Sequence, residues 1–232
     1  MTFKHLLTYI VDMKYAERCN AFLRHFLEKN APAAIELDYN TPFQLLVAAV
    51  LSAQCTDKRV NQVTPALFAA YPTPRAMAQS SLERLHGYIR SISYPNSKSK
   101  YLLGIAQKLT ELFDGQVPAD TKALQKLPGV GRKTANVVAS VIYGQPKMAV
   151  DTHVFRVSKR LGLVSPDCKT PRAVEQQLVE RLPQAHLSEA HHWLVLHGRY
   201  ICKARRPQCS KCGLTTMCRF FSEVQADDNG KA

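Results

Sequence analysis

Apolar residues recur along this chain mainly at the three- and four-residue intervals of α-helices. The segment Thr41-Pro42-Phe43-Gln44 combines an N-cap residue, a proline at the first helical position and a capping-box glutamine. The helix that follows is apolar on nearly every side, which predicts that it is central and buried. Because alternating strand patterns joined by hairpin turns are absent from the sequence, we predict an all-α fold.

Local signals predict further helix boundaries. Thr73-Pro74 and Thr170-Pro171 are typical helix starts, and Ser80 with Glu83 forms a candidate capping box. The last residues, 222–232, are polar and are predicted to form a disordered tail.

The charge of the chain favours a polyanionic partner. Its 232 residues include 31 Lys and Arg against 18 Asp and Glu, a net charge of +13. This excess suits nucleic acid first and an anionic membrane second, with solubility as the alternative explanation. The sequence shows neither a spanning apolar run nor signal-peptide features, so we expect no membrane association and a cytoplasmic protein, associated with the nucleoid if bacterial.

A turn with two glycines, Leu127 to Gly131, joins a predicted short helix (Asp120 to Lys126) to a longer one (Arg132 to Tyr143). The glycines allow a tight turn and the close approach of a ligand. The turn leads into a helix N-terminus, which attracts anions. In this basic surrounding the segment looks like a helix-hairpin-helix, which grips the DNA backbone; a plain helical connection is the alternative.

Two residues in the long basic stretch have candidate chemistry. Lys133 falls in the first turn of the predicted helix, where an amine could act as a nucleophile or bind a phosphate. Asp151 is the only acidic residue between Thr121 and Pro166. It could cap a helix, or it could accept a proton and stabilise developing positive charge. An amine and a carboxylate together suit the removal of a base from deoxyribose.

Four of the seven cysteines fall close together near the C-terminus: Cys202, Cys209, Cys212 and Cys218. Such a group indicates a metal site and not a disulfide framework. Four thiolates can bind zinc or a 4Fe–4S cluster. Structural zinc usually takes two close pairs separated by a longer arm, whereas this uneven loop favours wrapping a cluster. Lys203, Arg205 and Arg206 lie between the first two cysteines and would form a basic loop ordered by it.

Four segments together carry a family resemblance. LPGVGRKTANVV, AVDTHVFRV, HHWLVLHGRY and the C-x6-C-x2-C-x5-C loop resemble the endonuclease III family, DNA base-excision glycosylases of the helix-hairpin-helix superfamily. The resemblance runs from about Thr41 to Cys218. It implies a six-helix barrel domain at 35–145 that contains the hairpin. It also implies an iron–sulfur domain formed by 1–34 with 146–221, and DNA in a cleft between the two.

The resemblance also assigns roles to residues. It implies that Lys133 is the Schiff-base nucleophile and Asp151 the catalytic carboxylate, and that the four cysteines bind a 4Fe–4S cluster. Gln54 matches the residue that fills the hole left by a flipped nucleotide. The predicted DNA contacts are Gln54, Tyr94, Gly129, Gly131, Arg132, Lys203, Arg205 and Arg206.

One segment departs from the family pattern. The family usually has Gly-Leu-Tyr or Gly-Phe-Tyr where this chain reads Ser93-Tyr94-Pro95. Tyr94 could stack on a base more extensively than leucine would, and Pro95 stiffens the turn. The departure bears on the opposite-base preference and the speed of the enzyme, and leaves the chemistry unchanged.

The function implied is that of a monomeric, bifunctional DNA glycosylase and AP lyase. It would excise oxidised pyrimidines from duplex DNA and cut the strand by β-elimination in base excision repair. One alternative is the adenine glycosylase of the same superfamily, whose members lack a lysine at the position of Lys133 and carry a further C-terminal domain. Another is a DNA-binding module without activity, in which Lys133 grips phosphate and Asp151 only caps a helix.

Overall fold

The structure is a computed structural model that describes residues 13–229, and it confirms the all-α prediction. The α-helices in this range are α1 (Tyr15–Glu28), α2 (Pro42–Leu51), α3 (Asp57–Ala70), α4 (Pro74–Ala78), α5 (Leu82–Ile89), α6 (Pro95–Leu112), α7 (Thr121–Leu124), α8 (Arg132–Tyr143), α9 (Thr152–Leu161), α10 (Pro171–Arg181), α11 (Leu187–Tyr200) and α12 (Arg219–Asn229). Short 3₁₀ turns span Gln184–His186, Cys209–Lys211 and Thr215–Met217. None of the helices between residues 13 and 229 is long and apolar enough to cross a membrane.

The chain divides into two compact units. One runs from Ile35 to Gln145 and contains α2 to α8, and the other is formed by the segments on either side of it, with α1 and α9 to α12. Each unit has its own cluster of buried apolar side chains. Each unit therefore has the separate hydrophobic core that is expected of an independent compact body.

Helix α2 lies in the core of the Ile35–Gln145 unit. Every residue from Phe43 to Leu51 is buried, as its apolar pattern predicts. Thr41 is the N-cap, and its hydroxyl oxygen accepts a hydrogen bond of 3.2 Å from the backbone N–H of Gln44. The Gln44 side chain in turn accepts one of 2.7 Å from the backbone N–H of Asn40, just before the cap. The predicted start of this helix is therefore confirmed.

The other predicted caps give two confirmations and one correction. Thr73 and Thr170 cap α4 and α10, and each hydroxyl oxygen accepts a backbone N–H three residues on at 3.2 Å. The capping box at Ser80 is wrong by one residue. Ser81 caps α5, while the Ser80 hydroxyl donates a 2.8 Å hydrogen bond to the hydroxyl of Tyr71. The Ser80 hydroxyl is therefore engaged by Tyr71, and the next residue, Ser81, provides the N-cap.

The segment before Ile35 is joined to the second unit by aromatic packing and buried hydrogen bonds. Phe26 of α1 stacks on Trp193 of α11 with ring centroids 5.2 Å apart, and the Trp193 indole N–H donates to the carbonyl of Ala31 at 3.1 Å. Arg18 is buried and donates to the carbonyl of Leu161 at 3.2 Å. These contacts explain why α1 packs with helices that are far away in sequence.

The C-terminal segment corrects the prediction of a disordered tail from residue 222. Helix α12 continues to Asn229, and Ser222 is almost fully buried. The guanidinium of Arg160 on α9 lies over the ring of Phe220, 4.6 Å from its centroid. Packing of the first turn on α9 therefore supports a helix whose later residues are too polar to predict one. Residues 230–232 of the predicted tail, like 1–12 at the other end, lie outside the described range.

Candidate functional site

The predicted hairpin is present in the Ile35–Gln145 unit. Asp120 caps α7, and α8 begins at Arg132 as the sequence predicts. Gly129 in the turn has φ +73°, and a Cβ atom there would lie 2.6 Å from Cδ2 of Tyr101 on α6. A side chain at position 129 is therefore excluded both by the backbone conformation and by the close approach of α6.

The hairpin presents an open helix N-terminus to an anion. Gly131 is the N-cap of α8 and supplies no side-chain cap. The first N–H groups of a helix have no partner within the helix itself. Arg132 and Lys133 follow directly and are exposed, as is Lys126 before the turn. The helix dipole, the N–H groups and the cationic side chains all favour a phosphate here.

Gln54 and Tyr94 stand at the tips of two turns in the same unit. Gln54 follows the end of α2 with φ 54°, and Tyr94 immediately precedes α6 with φ 57° and ψ 51°. Both side chains are exposed, that of Tyr94 by 62% of its surface. Non-glycine residues seldom adopt this left-handed conformation, and residues held in it cluster at functional sites.

Lys98 is a functional candidate that the sequence analysis missed. Its side chain is buried, and its ammonium group donates hydrogen bonds to the carbonyls of Leu51 at 2.8 Å and Ala53 at 2.6 Å. Burial lowers the pKa of the lysine from its ordinary value. The helical spacing does indicate that Lys98 is buried, because it precedes the buried Leu102 and Ile105 by four and seven residues and so lies on the same face of α6.

Asp151 caps α9 in the second unit. One carboxylate oxygen, Oδ1, accepts the backbone N–H groups of His153 and Val154, both at 2.8 Å. The cap therefore occupies one of the two carboxylate oxygens. The side chain is half-buried, so it is fixed in orientation and still in contact with the surface. This geometry allows both roles that the sequence left open.

Two arginines of the Asp151 helix hold the loop after the first cysteine. Arg156 donates to the carbonyls of Cys202 at 3.1 Å and Gly198 at 2.8 Å. Arg160 donates to the carbonyls of Lys203 at 2.7 Å and Ala204 at 3.0 Å. The backbone of this loop is thus fixed to α9, one and two turns beyond the capping aspartate.

The predicted basic loop is exposed. Lys203, Arg205 and Arg206 all have their side chains in solvent, and Arg206 has a left-handed backbone with φ 53°. Because the backbone is anchored by Arg156 and Arg160, the loop presents its cationic side chains outward. This arrangement is suited to contacts with phosphate groups.

The four cysteines of the C-terminal group surround one cavity. All are free thiols, and Cys202, Cys209, Cys212 and Cys218 line the cavity together with mostly apolar residues of the same unit. Burial raises the pKa of Cys218 to about 12 and also raises the pKa of Cys209 and Cys212, with further upward contributions from the neighbouring cysteines. Thiolates gathered here would therefore need a cationic group between them.

The predicted site residues fall into two groups. Gln54, Tyr94 and the hairpin with Lys133 belong to the Ile35–Gln145 unit. Asp151, the cysteine cavity and the basic loop belong to the other unit. Apart from the four cysteines, of which Cys202 and Cys218 are buried, the predicted side chains stand at turns or helix starts.

Comparison with known proteins identifies the family to which the chain belongs. Residues 47–184 match the model of the HhH-GPD superfamily base excision DNA repair proteins. The chain is 48% identical to endonuclease III of Rickettsia conorii over 210 residues, which cover 90% of this chain and 99% of that protein. It is 41% identical to endonuclease III of Escherichia coli over 212 residues, covering 91% and 99%.

The fold agrees with these sequence matches. A solved structure of a trapped endonuclease III–DNA covalent intermediate, in an estranged-adenine complex, matches with a TM-score of 0.82 at 42% identity. The match covers 97% of this chain and 100% of that one. The chain therefore belongs to the endonuclease III family within the HhH-GPD superfamily of base excision DNA repair proteins.

Proposed function

We propose that this base excision repair enzyme is a bifunctional DNA glycosylase and AP lyase that removes oxidised pyrimidines from duplex DNA. The observation that carries the proposal is the position of Lys133, an exposed amine in the first turn of α8, directly after the hairpin turn. The hairpin binds the phosphates beside the damaged nucleotide and holds this amine near its sugar. A trapped covalent DNA complex of a relative with 42% identity supports an enzyme-bound intermediate.

In the proposed reaction Lys133 and Asp151 act on the same flipped nucleotide. The Lys133 amine attacks C1′ of the sugar, the bond from C1′ to the base breaks, and the base leaves with the bonding electron pair and takes up a proton. Asp151, fixed by its bonds to the N–H groups of α9, stabilises the positive charge that develops on the sugar.

Strand cutting follows from the same covalent bond. Loss of the Lys133 proton and opening of the sugar ring give an imine, which acidifies C2′. Removal of a C2′ proton then breaks the bond from C3′ to its oxygen, so the strand is cut on the 3′ side of the lesion. Water finally hydrolyses the imine and restores the free amine of Lys133.

The exposed tips of the Ile35–Gln145 unit are proposed to stabilise the distorted duplex. Gln54 fills the space that the flipped nucleotide leaves, and Tyr94 stacks beside the unpaired base. Gly129, Gly131 and Arg132 contact phosphates at the hairpin, and Lys203, Arg205 and Arg206 contact them at the basic loop. Consistent with a chromosomal substrate, we expect the enzyme to act as a monomer in the cytoplasm, on the nucleoid.

The cysteine cavity fits a 4Fe–4S cluster with a structural role. Four free thiols line it, and within residues 13–229 no three His, Cys, Asp or Glu side chains are placed to hold a single metal ion. The uneven spacing of the four cysteines, all within one loop, favours a polynuclear group over zinc. Cys202, Cys209, Cys212 and Cys218 would be its ligands, and the bound cluster would tie together a segment with little regular structure.

The cluster proposal is tested by colour and metal content. The protein purified without air should be yellow-brown and contain about four iron atoms per chain. Cys212→Ser should lose the colour, whereas Cys55→Ser, which changes a cysteine of the other unit, should keep it. Stoichiometric zinc without iron in the wild-type protein would contradict the assignment.

The catalytic proposal is tested with three duplexes in the presence of a chelator. They carry thymine glycol, an abasic site, or adenine opposite 8-oxoguanine. We expect strand cutting of the first two. Release of adenine from the third duplex alone, with no strand cut, would instead identify an adenine glycosylase. Binding of all three without any reaction would identify a DNA-binding module.

A further inference from the structure

The turns that carry Gln54 and Tyr94 are linked inside the protein by one buried side chain. Lys98 lies in the first turn of α6, which Tyr94 precedes, and its backbone N–H donates to the Tyr94 carbonyl at 3.1 Å. Its ammonium group donates to the carbonyl of Ala53, the residue before Gln54, at 2.6 Å. A single lysine therefore spans from the base of one turn to the base of the other.

The position of the charge explains why a buried lysine is tolerated. Leu51 is the last residue of α2, and its carbonyl is one of those that a helix leaves without an intrahelical partner. The last turn of α2 contains no basic residue of its own. Lys98 supplies the missing donor from α6 at 2.8 Å and places a cation at the negative end of the helix dipole.

Both turns need such support, because both are strained. Gln54 and Tyr94 have positive φ angles although neither is glycine, and such conformations persist only where the surrounding structure fixes them. The Lys98 ammonium group binds the backbone of the Gln54 turn directly. Lys98 itself belongs to the first turn of α6, the helix that follows Tyr94.

We propose that Lys98 is a positioning residue for lesion recognition: it sets the spacing of the Gln54 and Tyr94 tips that enter the duplex. The inference rests on the proposed function, because it takes these two tips to contact DNA. Lys98 itself is buried and touches neither DNA nor the reacting atoms. Its loss should impair the capture of a damaged base more than the cleavage of a sugar that has already lost its base.

The test compares Lys98→Met with Lys100→Met, a control that removes an exposed lysine from the same helix. Methionine keeps the length of the apolar stem and removes the donors. Single-turnover rates are measured on duplexes with thymine glycol opposite adenine, thymine glycol opposite guanine, and an abasic site. Amide hydrogen exchange is followed in residues 52–56.

For Lys98→Met we expect base excision to slow by roughly 10- to 100-fold, the scale of a small misplacement in an active site. The ratio of rates opposite adenine and guanine should also change, and amides of residues 52–56 should exchange faster. Abasic-site cutting should stay close to that of Lys100→Met. Equal behaviour of the two variants on all three duplexes would overturn the inference, and so would equal slowing on all three with unchanged amide exchange.

A second variant guards against a folding defect. Lys98→Gln keeps N–H donors and loses the charge, and it should fall between the wild type and Lys98→Met in base excision. If both variants lose the helical content of the wild type, Lys98 is a stability residue and the positioning role is wrong. Failure of the wild-type protein to cut the abasic duplex would refute the proposed function itself, whatever the variants do.

Discussion

At the scale of single residues, Asp151 combines a structural and a proposed catalytic role. Its Oδ1 atom accepts two backbone N–H groups at the start of α9. These bonds fix the position and orientation of the carboxylate at the helix start. The two interpretations that the sequence left open are therefore compatible, and they can be separated by choosing substitutions that keep or remove the cap.

Asp151→Asn should keep the fold and lose base excision. Asparagine caps helices about as well as aspartate, so the free energy of unfolding should change little. Excision of thymine glycol should fall by about 10²- to 10⁴-fold, since the charge is lost. Asp151→Ala should lose the cap as well, at a cost of about 1 kcal/mol in chemical denaturation. An Asp151→Asn protein with wild-type excision rates would show that the residue only caps.

Residues also show why local signals predict some features and miss others. Thr41, Thr73 and Thr170 could be identified as caps because their partners lie three residues away in the chain. The role of Lys98 could not be predicted from local signals, because the carbonyls that it binds lie 47 and 45 residues away in the chain. Local signals alone predict Ser80 as a cap, because the contact that engages its hydroxyl, with Tyr71, exists only in the folded chain.

At the scale of elements, the hairpin depends on how closely α6 approaches its turn. Gly129→Ala should destabilise the protein by at least about 1 kcal/mol, because it puts a Cβ at positive φ and within 2.6 Å of Tyr101. DNA affinity should fall with it, as the turn shifts. Gly87→Ala on α5 of the same unit is the control, since the Cβ position there has no atom within 4 Å and the backbone does not have a positive φ. Equal stability and affinity of the two variants would contradict this role of the turn.

The basic loop is a second element whose contribution can be isolated. Changing Arg205 and Arg206 together to alanine should reduce the slope of log affinity against log salt by about 2, because two phosphate contacts are lost. Damaged and undamaged duplexes should be weakened alike. The control changes Arg24 and Arg172, two exposed arginines in other parts of the same unit. A change in base preference at an unaltered salt slope would show that the loop reads bases.

Helix α12 is an element whose extent the sequence pattern does not predict. The polar residues after Ser222 contain no apolar periodicity that predicts a helix. Its first turn is nevertheless held by Phe220 against Arg160, and by an ion pair of 2.7 Å between Arg219 and Glu223. Tertiary contacts of one turn thus extend a helix beyond what intrinsic propensity supports.

At the scale of the whole molecule, each unit contributes a different part of the proposed mechanism. The Ile35–Gln145 unit holds Lys133, the proposed nucleophile, and the tips proposed to enter the duplex. The other unit holds Asp151, the cysteine cavity and the basic loop. The all-α class and the motif residues could be predicted from patterns and from the family resemblance. The anchoring of the basic loop by Arg156 and Arg160 could not, because these bonds join residues more than 40 positions apart.

The most direct test of the account is borohydride trapping with Lys133→Gln. During reaction of the wild-type enzyme with an abasic duplex, borohydride should reduce the imine and give a protein–DNA adduct that survives denaturation. Lys133→Gln keeps a polar side chain of similar reach without the amine, so it should give no adduct and no strand cut while DNA affinity stays near that of the wild type. An adduct formed by Lys133→Gln would assign the nucleophile to another amine, and a parallel loss of affinity and activity would show that Lys133 only grips phosphate.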